Sequence, residues 1–218
     1  MEEAYELIGR VKNGGVLPMI TSCSPGWIKF CEEYYPECLP NLSSCKSPHE
    51  MLGAVIKTYF AEKNGMDPKQ IVTVSVMPCV AKKFEAARPE LGHDVMADVD
   101  IVITTRELAR MIKEAGINFP ALPDGDFDEV LGDSTGAAVI FGATGGVMEA
   151  ALRTAYEAIT GETLEDVNFT AVRGIEGVKE ATVMVGDMPV KVAVANSTGA
   201  ASKVMDKVKD GTADYTFI

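Results

Sequence analysis

"VDIVITTRELARMIKEAG", residues 99–116, is the stretch that decides the fold. An apolar, β-branched run stops at Thr104 and Thr105, and helical spacing begins at once, with no residues left over for a loop. Thr104 suits a helix N-cap, and Glu107 three residues on completes a capping box. "QIVTVSVMP", residues 70–78, repeats the theme as a buried strand that Pro78 breaks, and "VAKKFEAARPE", residues 80–90, follows as a helix. Strand–helix units in succession predict a mostly parallel sheet covered by helices.

The rhythm runs outward from there. "MEEAYELIGRVKNGG", residues 1–15, is an acidic helix without a signal-peptide pattern. "GVLPMITS", residues 15–22, is a short strand whose Pro18 points to an edge or an irregular start. "GWIKFCEEYY" and "SPHEMLGAVIKTYFAEKNG" are helices, the second ending in an Asn-Gly stop. "NFPALPDGDFDEVLGDSTG", residues 118–136, is rich in Pro, Gly and Asp and breaks the rhythm. After it come a long helix, "ATGGVMEAALRTAYEAIT", and a hairpin, "ATVMVG" with "MPVKVAVA", turning at Gly186 and Asp187. "NSTGAASKVMDKVKDG" is a helix and "ADYTFI" a final strand. The predicted fold class is α/β: two lobes, each a small, mostly parallel sheet flanked by helices, with a cleft between them. The expected boundaries are residues 1–117 for the first lobe, 118–137 for the connecting segment and 138–218 for the second. That lobe stops on a strand without turn, cap or polar tail, which reads as a cut through a longer protein.

The net charge of −12 argues against a nucleic-acid or anionic-membrane partner, because phosphate contact needs a basic face. No apolar run approaches the roughly 20 residues of a membrane span. The five cysteines, Cys23, Cys31, Cys38, Cys45 and Cys79, are an odd number in a chain without a signal. They read as reduced cytoplasmic thiols or cluster ligands, not as a disulfide frame. No Cys-x-x-Cys, His-Glu-x-x-His or Walker loop is present, so simple zinc and P-loop readings fail.

Two of the cysteines occupy equivalent places. "MITSC" ends at Cys23 with Pro25 ready for a first helical turn, and "VTVSVMPC" ends at Cys79 with a helix following. The carboxyl end of a strand is where open α/β sheets bind ligands, and exposed amides there favour a thiolate. A small buried core cysteine is the alternative for each. Lys82 lies one turn past Cys79, with Glu85 at i+3 to pair with it, although such a pair is also common on a plain surface. The glycines of "FGATGG" let a ligand approach a third helix start. Glu3, Glu6 and Arg10 share one helix face, which from the pattern alone is a solvated face. Cys31, Cys38 and Cys45 read as structural, His93 as a surface loop residue, and His49 as a surface or capping residue.

On these residues the chain resembles the iron-only hydrogenases. "TSCSPGW", residues 21–27, is similar to their TSCCPxW signature, and "MPCVAKKFE", residues 77–85, matches MPCxxKxxE in full. "DIVITTRELARMIK" and "IFGATGGVMEAALR" also look like that family. The resemblance implies the catalytic domain, in which an H-cluster, a 4Fe-4S cubane bridged by a cysteine to a diiron subsite, reversibly reduces protons to dihydrogen. By position, Cys79 would be a cubane ligand and Lys82 would hydrogen-bond a cyanide of the diiron subsite. Met77, Phe141 and Gly142 would line the diiron pocket, with His49 where the family often has glutamine. Cys23 resembles the thiol that relays protons, and the relay would continue through Glu3, Ser43 and Glu6 to Arg10. The resemblance thus turns the Glu3–Glu6–Arg10 face into a proton wire. Electron-transfer subunits linked to ferredoxin or NAD, and maturation proteins for the diiron subsite, are the implied partners.

Two departures stand out. Ser24 occupies the position of the second signature cysteine, a cubane ligand in the family, and a serine oxygen is a harder and poorer donor there. Two further ligands lie in a Cys-x-x-x-Cys motif after a strand like "ADYTFI", and the chain ends on that strand. Of four expected thiolates only Cys79 is present, so this segment alone is expected to hold no H-cluster and to be inactive. The alternative is a non-catalytic relative that handles iron–sulfur clusters or contacts other proteins.

Overall fold

The computed structural model describes residues 1–92, 96–128, 130–132, 136–165, 167, 170–172 and 175–218, so His93 lies outside the described residues. In chain order the helices are α1 (Glu2–Asn13), α2 (Pro25–Tyr34), α3 (Pro48–Val55), α4 (Ala61–Lys63), α5 (Ala81–Ala86), α6 (Thr105–Glu114), α7 (Ala137–Ile140), α8 (Gly146–Thr160) and α9 (Thr198–Lys209). The strands are β1 (Val74–Met77), β2 (Ile101–Thr104), β3 (Thr170–Ala171), β4 (Val178–Val185) and β5 (Met188–Ala195). The fold is α/β. Its contacts form two compact units, Met1–Cys45 with Ser134–Ile218, and Lys46–Asp133.

That division differs from the expected boundaries. Residues 1–45 pack with the C-terminal part of the chain, not with residues 46–117. The cause is a long-range strand pairing. Met19 bridges Phe217 in parallel, Phe217 bridges Val192, and Ile20 bridges Leu42. "ADYTFI" therefore lies between β5 and residues 19–21, with Met19 N–H donating to Thr216 O at 3.0 Å and Thr21 N–H to Ile218 O at 2.9 Å.

The first unit is three layers. β3, β4 and β5 are antiparallel, because a two-residue loop joins β4 to β5 and pairs Val185 with Met188. Gly186 holds φ 62° at the first loop position, a conformation that a tight hairpin asks of glycine. The parallel bridges through Phe217 extend this sheet, so it is mixed. Strand alternation sends Ala181, Val183, Val190 and Val192, with Met19 and Phe217, against Leu7 of α1 and Met148 and Leu152 of α8. Ala193 and Tyr215 pack on Ala200 and Val204 of α9. Ile20 packs on Cys31, Tyr35, Cys38 and Met205, which places Cys31 and Cys38 in the core as expected.

The second unit holds the strand–helix repeat. β1 and β2 are parallel, from Val74 opposite Ile101 to Met77 opposite Thr104, so both strands deliver their carboxyl ends together. The capping box forms: Glu107 N–H donates to Thr104 Oγ1 at 3.1 Å, and Thr104 N–H donates to Glu107 Oε2 at 2.6 Å. Lys83 pairs with the same Glu107 at 2.6 Å and ties α5 to α6. β1 is not the buried strand expected. Val74 and Val76 are 53% and 42% exposed, because among the described residues the sheet has only two strands and helices cover one face. α3 continues through a π-helical turn at Ile56–Phe60 into α4 and stops at Gly65, as the Asn-Gly signal predicts.

Candidate functional site

The first unit assembles a polar chain on α1. Glu6 is the hub. Its Oε2 accepts from Ser43 Oγ at 2.7 Å, and Ser44 N–H donates to it at 3.0 Å. Its Oε1 accepts from Arg10 at 2.7 and 3.0 Å. Burial pushes the Glu6 carboxyl up, but the donors from Ser43, Ser44 and Arg10 outweigh it and hold the group below the ordinary carboxylate range. Arg10 is fixed in turn, donating to the carbonyls of Val16, Pro40, Asn41 and Leu42. Glu3, one turn earlier, is more deeply placed, and burial raises its pKa despite donors from Thr21, Ser22 and Ser43. Two carboxyls three residues apart thus have opposite proton affinities, and the Ser43 hydroxyl touches both. Thr21 Oγ1 lies 3.1 Å from Glu3 Oε2 and 3.8 Å from Cys23 Sγ, which joins Cys23 to the same set. All five residues expected in the relay, Cys23, Glu3, Ser43, Glu6 and Arg10, lie in this one unit.

Cys23 and Ser24 also line a cavity of about 440 Å³ inside the first unit. Three helix starts reach it: Ser24 and Gly26 at α2, Gly145 and Gly146 at α8, and Ser197 and Thr198 at α9. Unpaired amides at helix starts favour an anionic occupant. Gly146 permits the tight turn, since a Cβ there would sit 1.8 Å from the Ile140 carbonyl oxygen. Ser24 is the N-cap residue of α2 but makes no capping bond with its side chain, and Pro25 takes the first helical position as expected. Phe141 and Gly142 lie in the turn between α7 and α8.

The second unit carries a buried charge cluster. Glu85 Oε2 accepts from Lys82 Nζ at 2.8 Å and pairs with His49 Nδ1 at 2.9 Å. Glu50 Oε1 lies 3.3 Å from the same His49 nitrogen. The side chains of Lys82, Glu85 and His49 are all buried here, so the Lys82–Glu85 pair is an interior ion pair and not the plain surface pair that was its alternative, and Ser47, not His49, caps α3. Hydrogen bonds to Glu50 and Glu85 raise the His49 pKa to about 9, making it an imidazolium at neutral pH. Burial pushes the Glu85 carboxyl up, but His49 and Lys82 prevail and lower it. His49, Glu50 and Glu85 have the spacing of a metal site, but two cations already balance the two carboxylates. Met77 ends β1, and Cys79 follows it in an exposed turn before α5.

Sequence reasoning missed Thr21, Ser44 and Glu50, and it gave Cys45 a purely structural role although Cys45 Sγ lies 3.5 Å from Glu6 Oε2. A signal for Thr21 was available: residues 21 and 23 share one side of an extended strand end, with Ser22 turned away to donate to Cys45 O at 2.7 Å.

The first unit thus carries a thiol at a strand end with a carboxylate–hydroxyl chain behind it, and the second carries an exposed thiol just after β1. The model for "Iron only hydrogenase large subunit, C-terminal domain" matches residues 1–218, and the chain belongs to that family. It is 56% identical over 219 residues to a periplasmic Fe hydrogenase large subunit of Nitratidesulfovibrio vulgaris, covering all of this chain and 52% of that protein. Against an NADP-reducing hydrogenase subunit of Solidesulfovibrio fructosivorans the identity is 53% over 211 residues, or 94% of this chain and 36% of that one. An apo FeFe-hydrogenase variant from Chlamydomonas reinhardtii superposes with a TM-score of 0.86 at 42% identity, covering all of this chain and 62% of the other. The chain therefore spans about half or less of the length of these curated relatives.

Proposed function

We propose that this chain is a segment of the catalytic domain of an iron-only hydrogenase and serves the reversible reduction of protons to dihydrogen. The observation that supports this most directly is the continuous set Cys23–Thr21–Glu3–Ser43–Glu6–Arg10, in which titratable groups and hydroxyls alternate within hydrogen-bond reach. The H-cluster, when bound, supplies the site where protons and electrons combine. Cys79 suits a cubane corner, being an exposed thiol in a turn. Ser24 suits one poorly, since cubane sites take thiolates and a hydroxyl resists deprotonation. Lys82 and Met77 beside Cys79, and Phe141, Gly142 and His49, complete the proposed cofactor contacts.

The roles of the chain's own residues follow from their electrostatics. Arg10 and the Ser43–Ser44 donors keep Glu6 ionised, ready to receive a proton from solvent. Glu3, whose pKa burial raises, holds the proton better and sits closer to Cys23. A proton thus gains affinity as it moves inward, and Cys23 is the donor at the inner end. Ferredoxin or an NAD-linked subunit would deliver electrons, and maturation proteins would deliver the diiron subsite; the Solidesulfovibrio relative is by name NADP-reducing. No helix among the described residues is long and apolar enough to cross a membrane. The cytoplasmic placement proposed from the cysteine content stands beside a relative that is by name periplasmic.

The test is a longer protein carrying this segment, loaded with iron–sulfide and a diiron precursor. Hydrogen evolution together with infrared bands of metal-bound carbonyl and cyanide is the expected result. Full iron–sulfur loading without those bands and without hydrogen would overturn the reading in favour of a non-catalytic iron–sulfur role.

A further inference from the structure

We propose that Glu50 is a positioning residue for the cofactor site, clamping His49 at Nδ1 so that Nε2 becomes a hydrogen-bond donor to the bound group; this rests on the hydrogenase reading. Ser47-Pro48-His49-Glu50 has the S-x-x-E pattern of a capping box, the arrangement that Thr104 and Glu107 complete in α6. At α3 only half of the box forms. Glu50 N–H donates to Ser47 Oγ at 3.3 Å, but among the described residues no bond returns from the Ser47 backbone to the Glu50 carboxylate. The Glu50 side chain is 1% exposed, and its Oε1 lies 3.3 Å from His49 Nδ1 instead.

Charge explains why the carboxylate is diverted. His49 Nδ1 pairs with Glu85 Oε2 at 2.9 Å, but Glu85 is already neutralised by Lys82 at 2.8 Å and also accepts from Ser47. One carboxylate between two cations would leave a net positive charge buried at the positive end of α3, where desolvation and the helix dipole both oppose it. Glu50 supplies the second negative charge. The groups that face His49 are Glu50 from its own helix and Glu85 from α5, with Lys82 behind Glu85. Bonds to Glu50 first and Glu85 second raise the His49 pKa to about 9, against the pull of burial.

The charge state decides what Nε2 can do. With Nδ1–H committed to carboxylate, Nε2 of a neutral ring is an acceptor, and Nε2–H of an imidazolium is a donor. His49 Nε2 is buried and has no hydrogen-bond partner among the described residues. Buried polar atoms are nearly always satisfied, so this one is reserved for a group that the protein binds. The terminal ligands of an H-cluster present lone pairs and need donors. Lys82 is one such cation, and His49 charged by Glu50 is a second. Outer carboxylates that fix the proton and the orientation of an imidazole are a general device of metal sites. Glu50 acts in that way without touching the bound group.

The experiment uses the complete protein containing this segment, labelled with 15N-histidine, as parent, Glu50→Gln, His49→Gln and the double variant. Before loading, ring 15N signals that disappear in His49→Gln report His49. The parent ring should be protonated on both nitrogens at neutral pH and titrate near 9, and Glu50→Gln should move that titration toward the ordinary 6.5. After loading with iron–sulfide and a diiron precursor, the metal-bound cyanide bands are read at about pH 8, between those two values. Glu50→Gln should shift them to lower frequency, the direction of a lost hydrogen bond. In the His49→Gln background the same substitution should leave them unmoved, because an amide donates whatever charge stands beside it. A parent His49 that is neutral at pH 7 overturns the proposal even if the Glu50 variant does not fold. An unchanged His49 titration in Glu50→Gln overturns it, and so does an equal band shift in both backgrounds, which would mark a packing effect. Each of these outcomes leaves the hydrogenase reading standing, whereas a loaded protein without any carbonyl or cyanide bands fails that reading and the proposal with it.

Discussion

Ser197→Gly should make this protein more stable, and the size can be worked from one backbone angle. Ser197 starts α9 at the rim of the Cys23 cavity and has φ 91° and ψ 156°. It is the one non-glycine residue with positive φ among the described residues. That region belongs almost entirely to glycine, and a side chain there costs about 1–3 kcal/mol. Two terms oppose the relief. Ser197 Oγ accepts from Ala200 N–H at a long 3.3 Å, and exchanging a serine cap for glycine costs only about a few tenths of a kcal/mol. Glycine also gains freedom in the unfolded chain, worth about 0.4–1 kcal/mol against folding. The net is about 1 kcal/mol of stabilisation, or a rise in Tm of about 2–4 °C for a chain of this size. Ser197→Ala keeps the strained Cβ and loses the cap, so it should destabilise by about 0.5–2 kcal/mol. Urea unfolding of the three proteins checks this, with the midpoint moving and the slope constant. If glycine and alanine shift the midpoint in the same direction, the strain argument is refuted.

Further outcomes follow from the same structure. In a longer, cofactor-loaded form, Ser24→Cys should raise iron content and hydrogen evolution together, because a thiolate replaces a hydroxyl at a cubane position. The 218-residue chain purified alone should bind no stoichiometric iron, which elemental analysis will decide. Stability should fall as pH rises from about 6.5 to 9. The His49 imidazolium is stabilised in the folded state, so its contribution is complete below its ordinary pKa of 6.5 and vanishes above its folded value of about 9. The full amplitude is about 3 kcal/mol, and His49→Gln should flatten the slope in urea titrations across that range. Glu6→Gln should cost about 1–3 kcal/mol by leaving Arg10 without its carboxylate, measurable by thermal unfolding.

What was legible in the sequence was local. The Thr104–Glu107 capping box, Pro25 at the start of α2, the Gly186 hairpin and the Asn-Gly stop each depend on residues within about four positions, and each formed. The division into units depends on Phe217 reaching Met19 and Val192, and no local pattern announces a pairing across nearly two hundred residues. The exposed face of β1 escaped for a related reason. An apolar run states that a strand wants cover, but the number of neighbouring strands and helices decides whether it has cover.

The same distinction explains the Glu3–Glu6–Arg10 face. Read as a helix in isolation, i,i+3 and i,i+7 spacing describes a solvated pair worth about half a kcal/mol or less. What changes its meaning is the loop at residues 42–45. That loop lays two backbone carbonyl and amide groups and a serine hydroxyl on α1 from more than thirty residues away. Once it lands, Glu6 has donors on both oxygens and can no longer trade water for protein freely, while Glu3 is buried. Spacing alone cannot separate a helix face that meets water from one that meets a loop of serines. The resemblance to TSCCPxW and MPCxxKxxE supplied that context from outside the helix. The physical reason it could do so is that a carboxylate pair with divergent proton affinities requires both the helix and the loop, so both were needed to see it.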